Sequence, residues 1–371
     1  MMSKQIKRFI TCHIPVYACN FRCSYCYVGQ HQGAYKNGVK PFASEPEAIS
    51  SFFSVDRLGG FCYFNMCGDG ETLLHPQIIE LVSLLVDQGH FVDIITNGTV
   101  TDKFKEIVNT FSEFQKSHLF IKFSFHYLEL KHKKLMETFV SNVSVIKNAG
   151  ISHSIEVTPH DDLIPYIDEI KDFSLKNFGA VPHITVARNE GTKEIALLSK
   201  YSKNEYGKIW SVFDSPLFDF KLRIFGEKRF EFCYAGQWSL YCNLATGDYF
   251  QCYGGDFLGN IRNVRKPIHF RAIGRCRLPH CFNGHAFLAL GNIPEMPTPT
   301  YAQERDRKYD GGGWLMPCMS DFFNTKTFES NSRLSKRKEW IVKFSGIVLR
   351  NPRRVFRKIL YILNRGKNDK S

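Results

Sequence analysis

The sequence predicts an α/β fold: a partial (β/α)6 barrel, then a small cysteine-rich domain and a basic helical tail. Three observations predict it. Six short apolar or β-branched runs alternate with amphipathic stretches over the first half of the chain. Most of the 12 cysteines fall into two groups. Most of the net charge of +13 falls near the C-terminal end.

Strands are expected at Arg8–Ile14, Phe61–Met66, Phe91–Thr96, Leu119–His126, Ser154–Thr158 and His183–Ala187. Each is a short run of apolar or β-branched residues ending near turn residues. Helices are expected between them, around Pro46–Arg57, Pro76–Gln88, Asp102–Phe114, Leu130–Asn148 and Asp162–Asn177. Asp162 would cap the last, and Asn148-Ala149-Gly150 reads as a helix end. Consecutive strand–helix units with crossovers of one hand curl into a partial barrel, here expected over 8–190. After about Glu190 the pattern breaks. Phe232–His285 is rich in cysteine, aromatics and short strand-like pieces, which reads as a separate small module within 191–325. Asn292–Thr300 is proline-rich, and Gly311-Gly312-Gly313 reads as a loop.

Composition narrows the function. With 43% hydrophobic and 23% charged residues, the 371-residue chain has the make-up of a globular protein. It holds no run of about eighteen apolar residues. Met1–Ile10 lacks the apolar core and cleavage site of a signal peptide, so a cytoplasmic location is expected. In that reducing compartment clustered thiols read as metal ligands or reactive groups, not disulfides. From Ser332 to Ser371 thirteen Lys and Arg stand against two acidic residues, a net of +11, and the rest of the chain carries +2. A body so nearly neutral is not expected to bind nucleic acid.

The strongest motif is Cys19-Asn20-Phe21-Arg22-Cys23-Ser24-Tyr25-Cys26, a C-x3-C-x2-C run just after the first strand. Three thiolates this close can hold three irons of a cubane 4Fe–4S cluster and leave the fourth open. The blander reading is half of a zinc site, but zinc usually takes a second cysteine pair, and none follows nearby. After the second strand comes Cys67-Gly68-Asp69-Gly70-Glu71-Thr72-Leu73-Leu74-His75-Pro76. Its glycines let backbone approach a ligand, and Glu71 offers a carboxylate to an ammonium. A plain glycine turn before a capped helix is the alternative. The third strand ends in Thr96-Asn97-Gly98-Thr99 and the fourth in Ser124-Phe125-His126-Tyr127.

These motifs, in this order, resemble the radical S-adenosylmethionine (SAM) superfamily. The resemblance implies a partial (β/α)6 core with a cluster on Cys19, Cys23 and Cys26, and Tyr25 in the aromatic place before the last cysteine. SAM would chelate the open iron through its amino and carboxylate groups. An electron from a donor such as flavodoxin or ferredoxin would then cleave it to methionine and a 5′-deoxyadenosyl radical. Gly68, Gly70 and Glu71 would hold the SAM amino group, with Asn97 and Ser124 also binding the cofactor. Asp69 interrupts the family's glycine pair, and Thr72 replaces a common proline. His126 is the catalytic candidate, with a hydrogen-bonded rim histidine as the alternative. Arg188 reads as a surface arginine, or else as a partner for a carboxylate or phosphate.

The second cysteine group resembles the SPASM or twitch modules that follow many such cores. Cys233, Cys252, Cys276 and Cys281 would hold one further 4Fe–4S cluster, the shorter twitch type. A structural zinc site on the same residues stays open, with Cys242, Cys318, His280 and His285 as substitute ligands. Cys12, Cys62 and Cys67 read as small core residues.

In the tail, 332–371, the stretch Glu339–Asn364 interleaves apolar with basic residues and is split by Pro352. It suits peripheral contact with an anionic membrane surface, a partner groove, or a helix packed on the barrel. The expected activity is oxidation or epimerisation of a sugar-like or lipid-linked alcohol, by analogy alone. A peptide-modifying maturase is the first alternative. It is weakened because the core begins almost at residue 1, leaving no room for a leader-binding domain. A non-catalytic iron–sulfur electron carrier is the second, and Glu71 counts against it.

Overall fold

The computed structural model describes residues 4–191 and 195–348, so the second half of the expected tail lies outside the described residues. Six strands carry the first half: β1 (Arg8–Ile14), β2 (Cys62–Gly68), β3 (Phe91–Thr96), β4 (Leu119–Ser124), β5 (Ser152–Val157) and β6 (His183–Ile184). They lie side by side in chain order, every pair parallel. This is the parallel α/β core that the alternation predicts.

The cysteine-rich region is less separate than expected. Its strands β7 (Ser239–Asn243), β8 (Asp248–Phe250) and β9 (Phe257–Asn260) extend the same sheet to nine strands. Strand β7 runs parallel to β1, with Ile10 beside Leu240 and Cys12 beside Cys242. Without it, one edge of β1 would present a row of unpaired backbone groups. Such a pairing joins segments far apart in sequence, and periodicity carries no signal for it.

The helices also depart in detail. The stretch 102–114 ends its first helix at Thr110, because Ser112 and Gln115 form a capping box that starts a new one at Glu113. The stretch 130–148 breaks at Lys134, which has φ +58°, before Met136–Asn148. Asp162 caps nothing: it lies in a 3-10 turn, and the α-helix begins at Ile167.

Alternation along the strands divides the sheet into two faces. One face turns Ile10, Phe64, Met66, Val92, Ile94, Ile121, Phe123 and Ile155 toward the helices, which answer with residues such as Leu81, Phe104, Val143 and Ile170. Burying each such side chain contributes roughly 1.5–3 kcal/mol. The other face is aromatic near the start of the strands, at Phe9, Tyr63, Phe91 and Phe120, and the C-terminal segment covers it. Phe322 stacks on Phe91 at 3.7 Å, and Phe323 packs edge-on to Tyr63 at 4.9 Å. Further along, the same face turns polar: His13, Asn65, Lys122 and Tyr241 line a cavity.

A buried ion pair fastens this closure. Arg305, fully buried, pairs with Glu156 at the end of β5. Burial works against the Glu156 carboxylate, but Arg305, with Lys122 behind it, outweighs burial and holds the group down to about 2. Glu156→Gln is expected to cost about 3–5 kcal/mol, because it strands a buried guanidinium. The folded pKa lies below the unfolded value of roughly 4.3. The pair's stabilisation is therefore complete above that value and lost as pH falls toward 2. Urea melts of both proteins at pH 7 and in acid check this, and equal stability at pH 7 would discard the pair as a fastener.

Candidate functional site

The cysteine run lies in the loop that leaves β1, anchored by Phe21, which is buried in the core. The Cys19 sulfur accepts the Phe21 N–H at 3.4 Å and lies 3.9 Å from the Asn97 amide nitrogen. The Tyr35 hydroxyl donates to the Cys26 sulfur at 3.0 Å. Burial pushes the Cys19 thiol up and the Cys23 thiol to about 12. All three cysteines line one cavity of about 260 Å³, together with Gly68, Gly70, Glu71, Asn97, Ser124 and His126. The cysteines and the expected SAM-site residues Gly68, Gly70, Glu71, Asn97, Ser124 and His126 thus meet in one place. Parallel strands bring their C-terminal loops to the same end of the sheet.

Glu71 is largely occupied by the protein itself. Its carboxylate accepts the Leu73 N–H at 3.1 Å, the Thr96 hydroxyl at 2.7 Å and the Asn97 N–H at 2.7 Å. Burial raises its pKa, and these bonds oppose the rise. A carboxylate has about four acceptor sites, so little capacity remains for the expected ammonium. Glu71 braces the β2 loop against the β3 loop. The bracing continues outward: the Asn97 amide donates to Asn20 Oδ1 at 2.6 Å, and the Asn20 amide to the Thr99 hydroxyl at 2.8 Å.

Gly70 is where backbone meets backbone. A Cβ there would lie 2.0 Å from the Ala18 carbonyl oxygen. That same carbonyl accepts the Glu71 N–H at 2.9 Å. The glycine therefore permits the Glu71 segment to dock directly on the cysteine loop.

His126 is half-buried, its Nδ1 2.7 Å from the Tyr25 hydroxyl, and Tyr25 stacks on His160 at 4.1 Å. Burial, with His160 nearby, pushes His126 down to about 4, so it is neutral at pH 7. Both ring contacts tie the cysteine loop to the ends of β4 and β5.

Residues 13–175, which span these loops, match the family described as the radical SAM superfamily. The chain carries a radical SAM domain. Such a domain works with a 4Fe–4S cluster and SAM, and it needs an electron donor and a substrate. A GTP 3′,8-cyclase of Microcystis aeruginosa is 33% identical over 94 residues, 24% of this chain; the match spans 27% of that protein, about a quarter of its length. Among solved structures, anSMEcpe with bound AdoMet is 15% identical with a TM-score of 0.48, over 69% of this chain and 78% of that one. SuiB of Streptococcus suis bound to S-adenosylmethionine is 14% identical with a TM-score of 0.47, over 71% of this chain and 64% of its own.

Beyond the radical SAM domain, Cys233, Cys252, Cys276 and Cys281 line a second, apolar pocket with Leu278, Phe287 and Ile293. Burial pushes Cys252 up to about 11, and Cys233 and Cys281 also upward. The suggested substitutes are elsewhere. Cys242 is buried in β7, Cys318 is exposed, His280 accepts the Gly226 N–H at 3.1 Å, and His285 faces the large cavity. Among the described residues no three His, Cys, Asp or Glu side chains gather tightly enough to hold a single metal ion.

A cavity of about 800 Å³ lies between the two thiol sites. It shares Tyr27, Cys67, Arg188 and Lys221 with the first site and Tyr253, Leu278 and Phe282 with the second. Cys67, read as a small core residue, is therefore a wall residue. Arg188 is not on the surface either: it lines the cavity, 3.9 Å above the Tyr27 ring and paired with Glu190 at 2.6 Å. Sequence reasoning missed Lys122 and Lys221. Lys122 had a signal, a lone charge two residues from Phe120 on the same face of an apolar strand. Lys221 had none, since its helix Pro216–Ile224 lies in the stretch without clear pattern.

Proposed function

We propose that the chain is a radical SAM enzyme whose substrate binds in the large cavity, between a SAM-binding cluster and an auxiliary one. The observation that carries this reading is that one cavity shares its walls with both thiol sites. Cys19, Cys23 and Cys26 hold the first cluster, and Cys233, Cys252, Cys276 and Cys281 the second. When bound, the first cluster would supply the electron for reductive cleavage of SAM, and with it the means to take hydrogen from the substrate.

The chain's own residues prepare that site. Gly70 lets the Glu71 segment dock on the cysteine loop, and the main chain of Gly68 and Gly70 lines the pocket proposed for the amino-acid end of SAM. Glu71 holds the Thr96–Asn97 turn in place, Asn97 and Ser124 offer polar contacts, and neutral His126 orients Tyr25 beside the cluster loop. The raised pKa values of Cys19, Cys23, Cys233, Cys252 and Cys281 mean that their protons leave as metal binds. A tetrahedral zinc on the same four thiols of the second site is the alternative, and metal content decides between the two. A pure electron carrier would have no use for an 800 Å³ cavity between its clusters. The substrate is a sugar-like or lipid-linked alcohol, oxidised or epimerised, with flavodoxin or ferredoxin as donor.

The test is iron content after anaerobic reconstitution. About eight irons per chain are expected, four per cubane. Replacing Cys233, Cys252, Cys276 and Cys281 with alanine is expected to leave about four irons and SAM cleavage intact. Zinc in the second site of the native protein would remove the auxiliary cluster from the proposal.

The tail is proposed as a peripheral membrane contact. Helix Lys336–Val348 packs one side on the body, where the Tyr234 hydroxyl donates to Glu339 at 2.7 Å and Val342 meets the Phe232–Trp238 cluster. Its other side exposes Trp340, Ile341 and Phe344 among lysines and arginines. Apolar residues so flanked suit an anionic interface. Changing those three to serine is expected to abolish co-sedimentation with phosphatidylglycerol vesicles at low salt. A native protein that ignores such vesicles would end the membrane reading. No described helix is long and apolar enough to cross a membrane.

A further inference from the structure

The cations around the large cavity are unevenly answered. Lys122 pairs with Asp93 at 2.8 Å and Arg188 with Glu190 at 2.6 Å. Lys221 differs. Its ammonium donates to the Thr185 hydroxyl, and among the described residues no carboxylate comes within ion-pair distance of it. It stands where the large cavity meets the cavity of Cys19, Cys23 and Cys26, with Arg188 lining the same two walls. His285, also on the large cavity, has a buried Nδ1 without a hydrogen-bond partner.

A desolvated cation without a counter-charge is costly, and a protein that keeps one beside a cavity leaves the counter-charge to a ligand. We propose that Lys221, flanked by Arg188, binds an oxyanion of the substrate, a carboxylate or a phosphate, at the junction of the two cavities. This rests on the reading that the large cavity holds the substrate. The ammonium supplies a point charge, and the guanidinium, stacked on Tyr27, supplies directed N–H donors. Anchored there, the substrate's neutral part lies within the large cavity and its anchored end faces the cluster loop. A sugar acid and a phosphate-linked sugar both carry such a group.

The environment of Lys221 agrees. Burial, then the positive charge of Arg188, holds its ammonium down to about 7; Arg305 adds to this, while Glu156 and Glu304 oppose it. A bound oxyanion would restore a higher value.

The experiment is competitive labelling of the reconstituted full-length protein with trace acetic anhydride, read by mass spectrometry at Lys221 against exposed Lys105. Without anion, Lys221 is expected to reach half its maximal labelling near pH 7. Inorganic phosphate or succinate is expected to suppress Lys221 labelling several-fold and leave Lys105 unchanged, with chloride at equal ionic strength as the control. Which of the two anions protects tells phosphate from carboxylate. Arg188→Gln is expected to raise the half-labelling pH and weaken protection. Protection by neither anion, equal protection by chloride, or full protection in the Arg188 variant overturns the site. SAM cleavage is assayed on the same preparation. If it persists without anion protection, only the oxyanion site falls; if it is absent, the radical SAM reading falls whatever Lys221 does.

Discussion

Replacing Cys19, Cys23 and Cys26 together with alanine is expected to reduce 5′-deoxyadenosine formation from SAM to background. The three thiols line one cavity with the residues of the next three strand ends, and among the described residues no other cysteine but Cys67 reaches that cavity. Losing them removes the protein's hold on three irons at once. Iron is expected to fall by about half, to roughly four per chain, with the second thiol site still filled. The fold should survive, because Phe21 and the hydrogen bonds of Asn20 hold the loop independently of the sulfurs. Anaerobic turnover with dithionite, followed by chromatography, reads the outcome. Undiminished product in the triple variant would refute the assignment of the cluster to this loop.

Gly70→Ala is expected to weaken SAM binding about tenfold or more, a loss of at least ~1.4 kcal/mol. The added methyl would lie 2.0 Å from the Ala18 carbonyl oxygen, a backbone atom with no rotamer to escape into. Relief must come from moving the cysteine loop away from the Glu71 segment, breaking the 2.9 Å bond between Glu71 N–H and Ala18. Overpacking of this kind typically costs about 1–3 kcal/mol in stability as well. Gly207→Ala, on the helix Lys203–Trp210 away from the cofactor pocket, serves as the control, since its Cβ would meet only the tip of the Leu222 side chain at 3.1 Å, which can shift. Equilibrium dialysis of SAM against the reconstituted variants compares them. Equal affinity in Gly70→Ala and the native protein would show that the close approach is not what shapes the cofactor pocket.

Strands β1 and β3 end where their apolar runs predict, and the other four are displaced by a few residues or shortened. Such segments are local objects. Their periodicity, and the turn residues that end them, are written in neighbouring residues. The helix breaks at Ser112 and Lys134 were harder, since an amphipathic pattern continues across them while the backbone does not.

The sequence by itself determined the parallel α/β core, the cysteine loop after the first strand and the succession of strand-end motifs. These follow from spacing within short segments, and strand polarity alone carries their ends to one rim. Only the tertiary structure decided that β7 completes the edge of β1, that Glu71 spends its carboxylate on Thr96 and Asn97, and that Arg188 and Lys221 face a cavity. Each of these depends on contacts between residues remote in the chain. No local periodicity records them, because the free energy that selects them comes from pairing backbone edges and answering buried charges across the folded molecule.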